Sequence, residues 1–218
     1  MLSAALFDFD GTLVDTTEMI YQGLRHATTT ILGRDDFTRE QLLANVGQPL
    51  PRQMELLNAE KAELLLESYR EHHETHHDAL IRDFPGVDKA LYRLRTAGVT
   101  VVVVTSKRRA SVEMALKQFP ELDLVVDRFV TLEDTNEHKP NPEPLLKGLE
   151  LVGDVPTEEA AYVGDSPFDV QAAKAAGLTS VAVSWGAFSE ETLREADPDH
   201  LVPDIDAAVD VLLGMAED

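Results

Sequence analysis

The 218-residue chain carries 40 acidic against 19 basic residues, a net charge of −21, with 44% hydrophobic residues, 27% charged residues and no cysteine. This length suits one large domain or a core with a smaller insert, and the absence of cysteine excludes a disulfide framework or a thiolate metal site. The acidic balance excludes a general nucleic-acid binder, which needs a basic face for phosphate, and no apolar run approaches the ~20 residues of a membrane span. The acids are spread along the chain, as on a solvated surface suited to a salty medium. No basic residue precedes the short amino-terminal apolar stretch, so no secretory signal is expected and the expected location is the cytoplasm.

Two kinds of pattern alternate along the chain. Short β-branched or apolar runs predict strands at Ser3–Phe9, Val99–Thr105, Arg128–Leu132, Ala160–Val163 and Ser180–Ser184. The second run is nearly continuous valine, as in a strand buried on both faces of a parallel sheet. Between the strands lie helical periods: Val87, Leu91 and Leu94 ahead of Gly98, then Val112, Ala115, Leu116 and Phe119, then Leu145, Leu149 and Val152. This alternation predicts an α/β fold with a doubly wound, Rossmann-like parallel sheet. From about Asp15 to Arg82 only helical patterns occur, ending at Gly33 and Gly47 and then running through Ala62, Leu65, Leu66 and Tyr69. A small helical insert over 15–83 is expected there, with the core over 1–14 and 84–218 and a turn back at Asp83–Val87.

In an open α/β sheet ligands sit at the carboxyl ends of the strands. The first strand ends in "DFDGT", with Asp8 and Asp10 two residues apart; on a strand such side chains share a face. They repel unless one is protonated or a cation intervenes; the plainer alternative is a solvated Asp-Gly turn. The second strand ends in Thr105-Ser106-Lys107. A loop bearing "HKPNPEP", with Lys139, follows the third, and the fourth ends in "GDSPFD", with Asp165 and Asp169.

These four motifs, in this order, closely resemble those of the haloacid dehalogenase-like phosphohydrolases, over Leu6 to about Gly177. The helical insert lies where that family's α-helical cap would fall. "FPGV", "VVVVTSKRR", "HKPNPEP" and "YVGDSPFDVQAAKAAG" are most similar to its phosphoglycolate phosphatase and pyrophosphatase branch. The resemblance implies a Mg²⁺-dependent phosphatase of a small phosphorylated metabolite, acting as monomer or homodimer. 2-Phosphoglycolate is the first expected substrate and pyrophosphate the second.

By that resemblance Asp8 is the nucleophile that forms an aspartyl-phosphate and Asp10 the general acid and base. Mg²⁺ would be held by the Asp8 carboxylate, the Asp10 carbonyl and Asp165, with Asp169 orienting a bound water or ligating directly. Thr105, with Ser106, would bind a phosphoryl oxygen, Lys139 would neutralise Asp8 and the phosphoryl group, and backbone N–H groups around Gly11 would complete the cradle. In the loop Val46–Arg52, Gly47, Gln48 and Arg52 are candidates for substrate choice, joined by Lys107 and Arg108. The plainer reading of these five is a surface loop and a helix start.

Asp10 argues against a dehalogenase, which has no leaving oxygen to protonate. The absence of any lysine before Lys61 argues against a Schiff-base phosphonate hydrolase. A sugar-phosphate mutase shares Asp8, Asp10 and the cap and stays open as an alternative. A receiver-like phosphoacceptor would carry its acid pair and acceptor in a different order, and an inactive scaffold would lack motif residues. His72, His73, His76 and His77 make two i, i+4 pairs able to hold a transition metal, but packing or a wet face is the expected role. Trp185-Gly186 is expected to be a packed loop near the site.

Overall fold

The computed structural model describes residues 1–217. In chain order the elements begin with β1 (Ala4–Phe7), β2 (Val14–Asp15), α1 (Thr17–Ala27), α2 (Arg39–Leu43), α3 (Leu50–Leu57), α4 (Ala62–Leu80) and β3 (Arg82–Asp83). There follow α5 (Val87–Thr96), β4 (Thr100–Val104), α6 (Arg109–Gln118), α7 (Pro120–Val125), β5 (Arg128–Val130) and α8 (Glu143–Glu150). The chain continues through β6 (Ala160–Gly164), α9 (Pro167–Ala176), β7 (Thr179–Val183), α10 (Glu190–Glu195), β8 (His200–Val202) and α11 (Ile205–Glu217).

Six strands form one parallel sheet in the order β5-β4-β1-β6-β7-β8. Alternate side chains face opposite ways. Phe7, Val101, Val103 and Val163 join Leu91 and Leu94 of α5 and Leu212 of α11 on one face. Leu6, Val102, Val104 and Tyr162 join Leu145 and Leu149 of α8 and Ala172 and Ala173 of α9 on the other. With both faces covered, the strands have no polar side to display, which is why β4 reads as unbroken valine. The expected doubly wound architecture is present. It gains an edge strand, β8, whose three residues are too few to show a period.

Helices α1 to α4 share a separate apolar cluster built on Leu24, Leu42, Met54, Leu65 and Tyr69. Gly23 lets α1 and α4 pack closely, since a Cβ there would lie 2.7 Å from the Tyr69 ring. The chain passes between this helical layer and the sheet through β2 and β3, which pair antiparallel, Val14 with Asp83 and Asp15 with Arg82.

One local prediction is corrected. The segment Val46–Arg52 is not all loop: α3 begins at Leu50, with Pro49 as its N-cap and Pro51 in its first turn. Proline is well suited to a first turn, where its fixed φ is helical and its missing N–H has no partner to lose. The two prolines therefore mark a helix start, not a continuing loop.

Candidate active site

Strand register brings the motifs to one edge. Phe7 sits beside both Val103 and Val163, so the chain ends that carry Asp8, Thr105 and Asp165 emerge together. Asp8 still follows the ladder, its N–H donating to the Val163 carbonyl at 2.8 Å, and Thr105 does likewise to Val130 at 2.9 Å. After Asp8 the chain turns back tightly: Leu13 and Val14 donate to the Phe9 carbonyl, and Gly11 donates to Val14 at 2.9 Å. Gly11 has φ +74°, and a Cβ there would collide with the Asp165 carboxylate. The Gly11 N–H itself is consumed inside this turn, so among the backbone N–H groups around Gly11 expected to cradle phosphate its own is already bonded. Its role is to let the turn pass close to Asp165.

Asp8, Asp165, Asp169 and Lys139 form a buried cluster. The Lys139 ammonium lies 3.1 Å from Asp8 Oδ1 and 2.7 Å from Asp169 Oδ1, and donates to the Tyr162 hydroxyl at 3.0 Å. Asp169 stands at the third position of α9 in a capping box: its Oδ2 accepts from the Ser166 N–H at 3.0 Å and hydroxyl at 2.6 Å. Both Asp169 oxygens are thus committed to fixing Lys139 and the helix start, in addition to lying beside Asp165. Asp165 accepts from the Ala187 N–H at 2.7 Å through Oδ2. The loop that supplies this bond is anchored by Trp185, whose indole donates to the Thr12 carbonyl at 3.1 Å. A Cβ at Gly186 would collide with Asp165, so the glycine is what lets the loop wrap it.

Three buried carboxylates thus face one buried ammonium, and burial together with the excess negative charge raises the proton affinities of Asp8 and Asp165. Burial pushes Asp8 up to about 7 against the pull of Lys139, with Asp169 and Asp10 adding repulsion. Burial, then Asp169 and Asp8, hold Asp165 well above the usual carboxylate range. Burial opposes the charge on Lys139, but Asp169 and Asp8 outweigh it and keep the lysine protonated. A divalent cation would remove the remaining imbalance. Asp8, Asp165 and Asp169 each offer an oxygen, all within 4.8 Å of one another, and they are the only such trio of ligating side chains among the described residues. Hard, anionic oxygen donors suit Mg²⁺, so the residues present fit the expected ion.

Asp10 departs from Asp8 and has its own cation. Both of its oxygens meet the Lys107 ammonium, at 2.8 and 3.1 Å, with the lysine side chain only 9% exposed. Lys107 was expected to face the substrate; the structure directs it to the carboxylate expected to act as acid and base. Thr105 Oγ1 accepts from the Lys107 N–H at 3.2 Å, leaving its own proton to donate. The Ser106 hydroxyl donates to the Gly47 carbonyl at 2.7 Å and fastens the insert loop to the sheet edge.

A cleft open to solvent lies between this edge and the helical insert. It brings together the expected Asp8, Asp10, Gly47, Gln48, Thr105, Ser106, Lys107 and Arg108. Arg52 is not among them. The helix start places Leu50 and Gln53 inward and turns Arg52 outward, where it is more than half exposed and pairs with Glu55 at 3.0 Å, so the structure does not bring it to the cleft with the other expected residues.

The cleft also contains residues that the motifs do not reveal: Gln53, Tyr69, Arg70 and His73. The signal was in the phase of α4, where Tyr69, His73 and His77 follow one another at four-residue steps behind Leu65. Burial, then Lys107, pushes His73 down to about 3, so it faces the cleft as a neutral ring. The other histidines pack: His72 stacks on His76 at 4.2 Å and meets His26 at 4.8 Å between ring centroids.

Comparison with known proteins agrees with this geometry. Residues 5–183 match the family described as haloacid dehalogenase-like hydrolase. A Caldanaerobacter subterraneus protein with the provisional name pyrophosphatase PpaX is 39% identical over 217 residues, covering 100% of this chain and 97% of its own. Pyrophosphatase PpaX of Bacillus cereus is 35% identical over 214 residues, covering 98% of each. A Lactobacillus plantarum crystal structure provisionally named phosphoglycolate phosphatase superposes with a TM-score of 0.84 at 25% identity, covering 97% of this chain and 100% of its own. The chain belongs to the haloacid dehalogenase-like hydrolase family and is a hydrolase of its phosphatase kind.

Proposed function

We propose that the chain is a Mg²⁺-dependent phosphohydrolase that works through an aspartyl-phosphate on Asp8, with inorganic pyrophosphate as first substrate and 2-phosphoglycolate as second. The observation that carries the reading is the separation of two neighbouring carboxylates onto two lysines, Asp8 onto Lys139 and Asp10 onto Lys107. Identical side chains in different surroundings take different roles. Asp8 Oδ1 accepts from the Phe9 N–H at 2.8 Å and meets Lys139, which holds the carboxylate with its second oxygen available to attack phosphorus. Asp10 borders the cleft, and its proposed role there is to give a proton to the departing oxygen and later take one from the hydrolytic water. Lys139 and the Thr105 hydroxyl offset charge on the phosphoryl oxygens. Bound Mg²⁺ would add the charge neutralisation that lets one anion approach another.

The substrate order inverts the one read from the motifs, because the relatives at 39% and 35% identity carry the name pyrophosphatase. Phosphoglycolate is retained because of the 25%-identical structural neighbour so named. The proposed location is the cytoplasm; no helix among the described residues is long and apolar enough to cross a membrane. The test is phosphate release from pyrophosphate, 2-phosphoglycolate and p-nitrophenyl phosphate, with Mg²⁺ and with EDTA. Asp8→Asn should lower every rate by at least ~10³-fold with the fold retained; activity near wild type would refute the nucleophile.

A further inference from the structure

Arg70 and Arg108 face the cleft from opposite sides, Arg70 from α4 of the insert and Arg108 from the residue that precedes α6 in the core. In so acidic a chain most arginines rest on a carboxylate: Arg34 on Asp36, Arg39 on Glu18, Arg52 on Glu55, Arg109 on Asp134, Arg194 on Glu190. Arg70 and Arg108 make no ion pair among the described residues. Arg70 Nε is buried and has no hydrogen-bond partner. The two guanidiniums also repel each other: after burial, Arg108 is the next cause lowering the proton affinity of Arg70. Two adjacent, part-buried cations, one of them with a buried donor left unbonded, are costly to keep. An anion between them would satisfy both.

The floor of the same cleft carries Asp8, Asp10 and Thr105. Lys107, the other cation there, is already taken by Asp10. The arginines are therefore the cleft's uncommitted positive charge, available to whatever the phosphoryl group is attached to. We propose that Arg70 and Arg108 form a two-sided clamp for a second anionic group, phosphate or carboxylate, on the leaving part of the substrate. This rests on the phosphohydrolase reading and extends it to a substrate class: molecules with one phosphoryl group to transfer and a second anion a short distance away. A phosphate satisfies two guanidinium forks more fully than a carboxylate does. Because the clamp joins insert to core, the same anion draws the cleft closed.

The test uses ligands that cannot be hydrolysed, so binding is read without turnover. Calorimetric titration with Mg²⁺ compares methylenediphosphonate, phosphonoacetate and methylphosphonate on wild type, Arg70→Gln and Arg108→Gln, each checked for folding by its melting curve. The expected result is affinity weakened about 10- to 100-fold for the doubly anionic ligands in either variant, and much less for methylphosphonate. Arg70→Lys and Arg108→Lys should recover part of the loss. The larger loss on methylenediphosphonate identifies phosphate as the clamped group, and on phosphonoacetate carboxylate. Unchanged affinity in both variants, or equal loss on methylphosphonate, overturns the clamp. Selective binding of methylenediphosphonate by a wild-type protein that releases no phosphate would instead overturn the phosphohydrolase reading and leave the clamp standing.

Discussion

Replacing Lys139 with methionine removes the one cation inside the carboxylate cluster while nearly preserving its volume. The lysine side chain is 1% exposed and touches Asp8 and Asp169 at 3.1 and 2.7 Å. Removing one partner of a buried ion pair leaves an uncompensated charge and costs about 3–5 kcal/mol. For a chain of this size that is a fall in melting temperature of roughly 6–20 °C. The loss depends on pH with a definite sign. Asp8, at about 7, and Asp165 bind protons more tightly folded than unfolded. The Asp8 contribution is therefore full below the ordinary carboxylate value and disappears as pH rises through about 7, and the Asp165 contribution has the same sign. Without Lys139 these affinities rise further, so the variant should suffer more at pH 8 than at pH 5. Mg²⁺ should restore part of the deficit at pH 8, because it supplies positive charge at the same carboxylates. Melting curves of both proteins at pH 5 and pH 8, with EDTA and with Mg²⁺, measure all of this. A variant within ~2 °C of wild type at pH 8 in EDTA, or one equally impaired at both pH values, would refute the charge argument.

Two further outcomes are expected. Gly47→Ala forces a side chain into a backbone with φ +100° and sets its Cβ 2.7 Å from Ser166 Oγ; urea unfolding should show a loss of about 1–3 kcal/mol, with a raised KM because the loop held by Ser106 moves. Stability and KM equal to wild type would show that the loop does not need this close approach. The acidic surface should make the protein more stable and active at molar salt than at low salt, through screening of like charges; equal performance at both would end the salt-adaptation reading.

Much of the architecture was legible because its cause is local. The valine run of β4 follows from burial on both faces, and the helical periods of α5, α6 and α8 follow from one apolar side each. The site motifs were legible for a related reason: strand ends are where an α/β sheet exposes its backbone, so carboxylates, hydroxyls and lysines gathered there stand out against apolar strands. Short or atypical elements escaped, among them β8, with three residues and no period, and α3, whose prolines read as loop punctuation.

What the chain's order of residues could not reveal was which side chains meet. Lys107 belongs to Asp10, 97 positions away, and Lys139 is shared by Asp8 and Asp169, because sheet register and the pitch of α9 bring those atoms within 3.1 Å. Arg52 and Arg70 look alike as cations on the insert, and only helix phase turns one to solvent and the other to the cleft. Residue type and spacing determine which chemistry is possible at a strand end. Pairing across long separations is decided by packing, since the Coulomb and hydrogen-bond terms that select partners act over a few ångströms of space and take no account of distance along the chain.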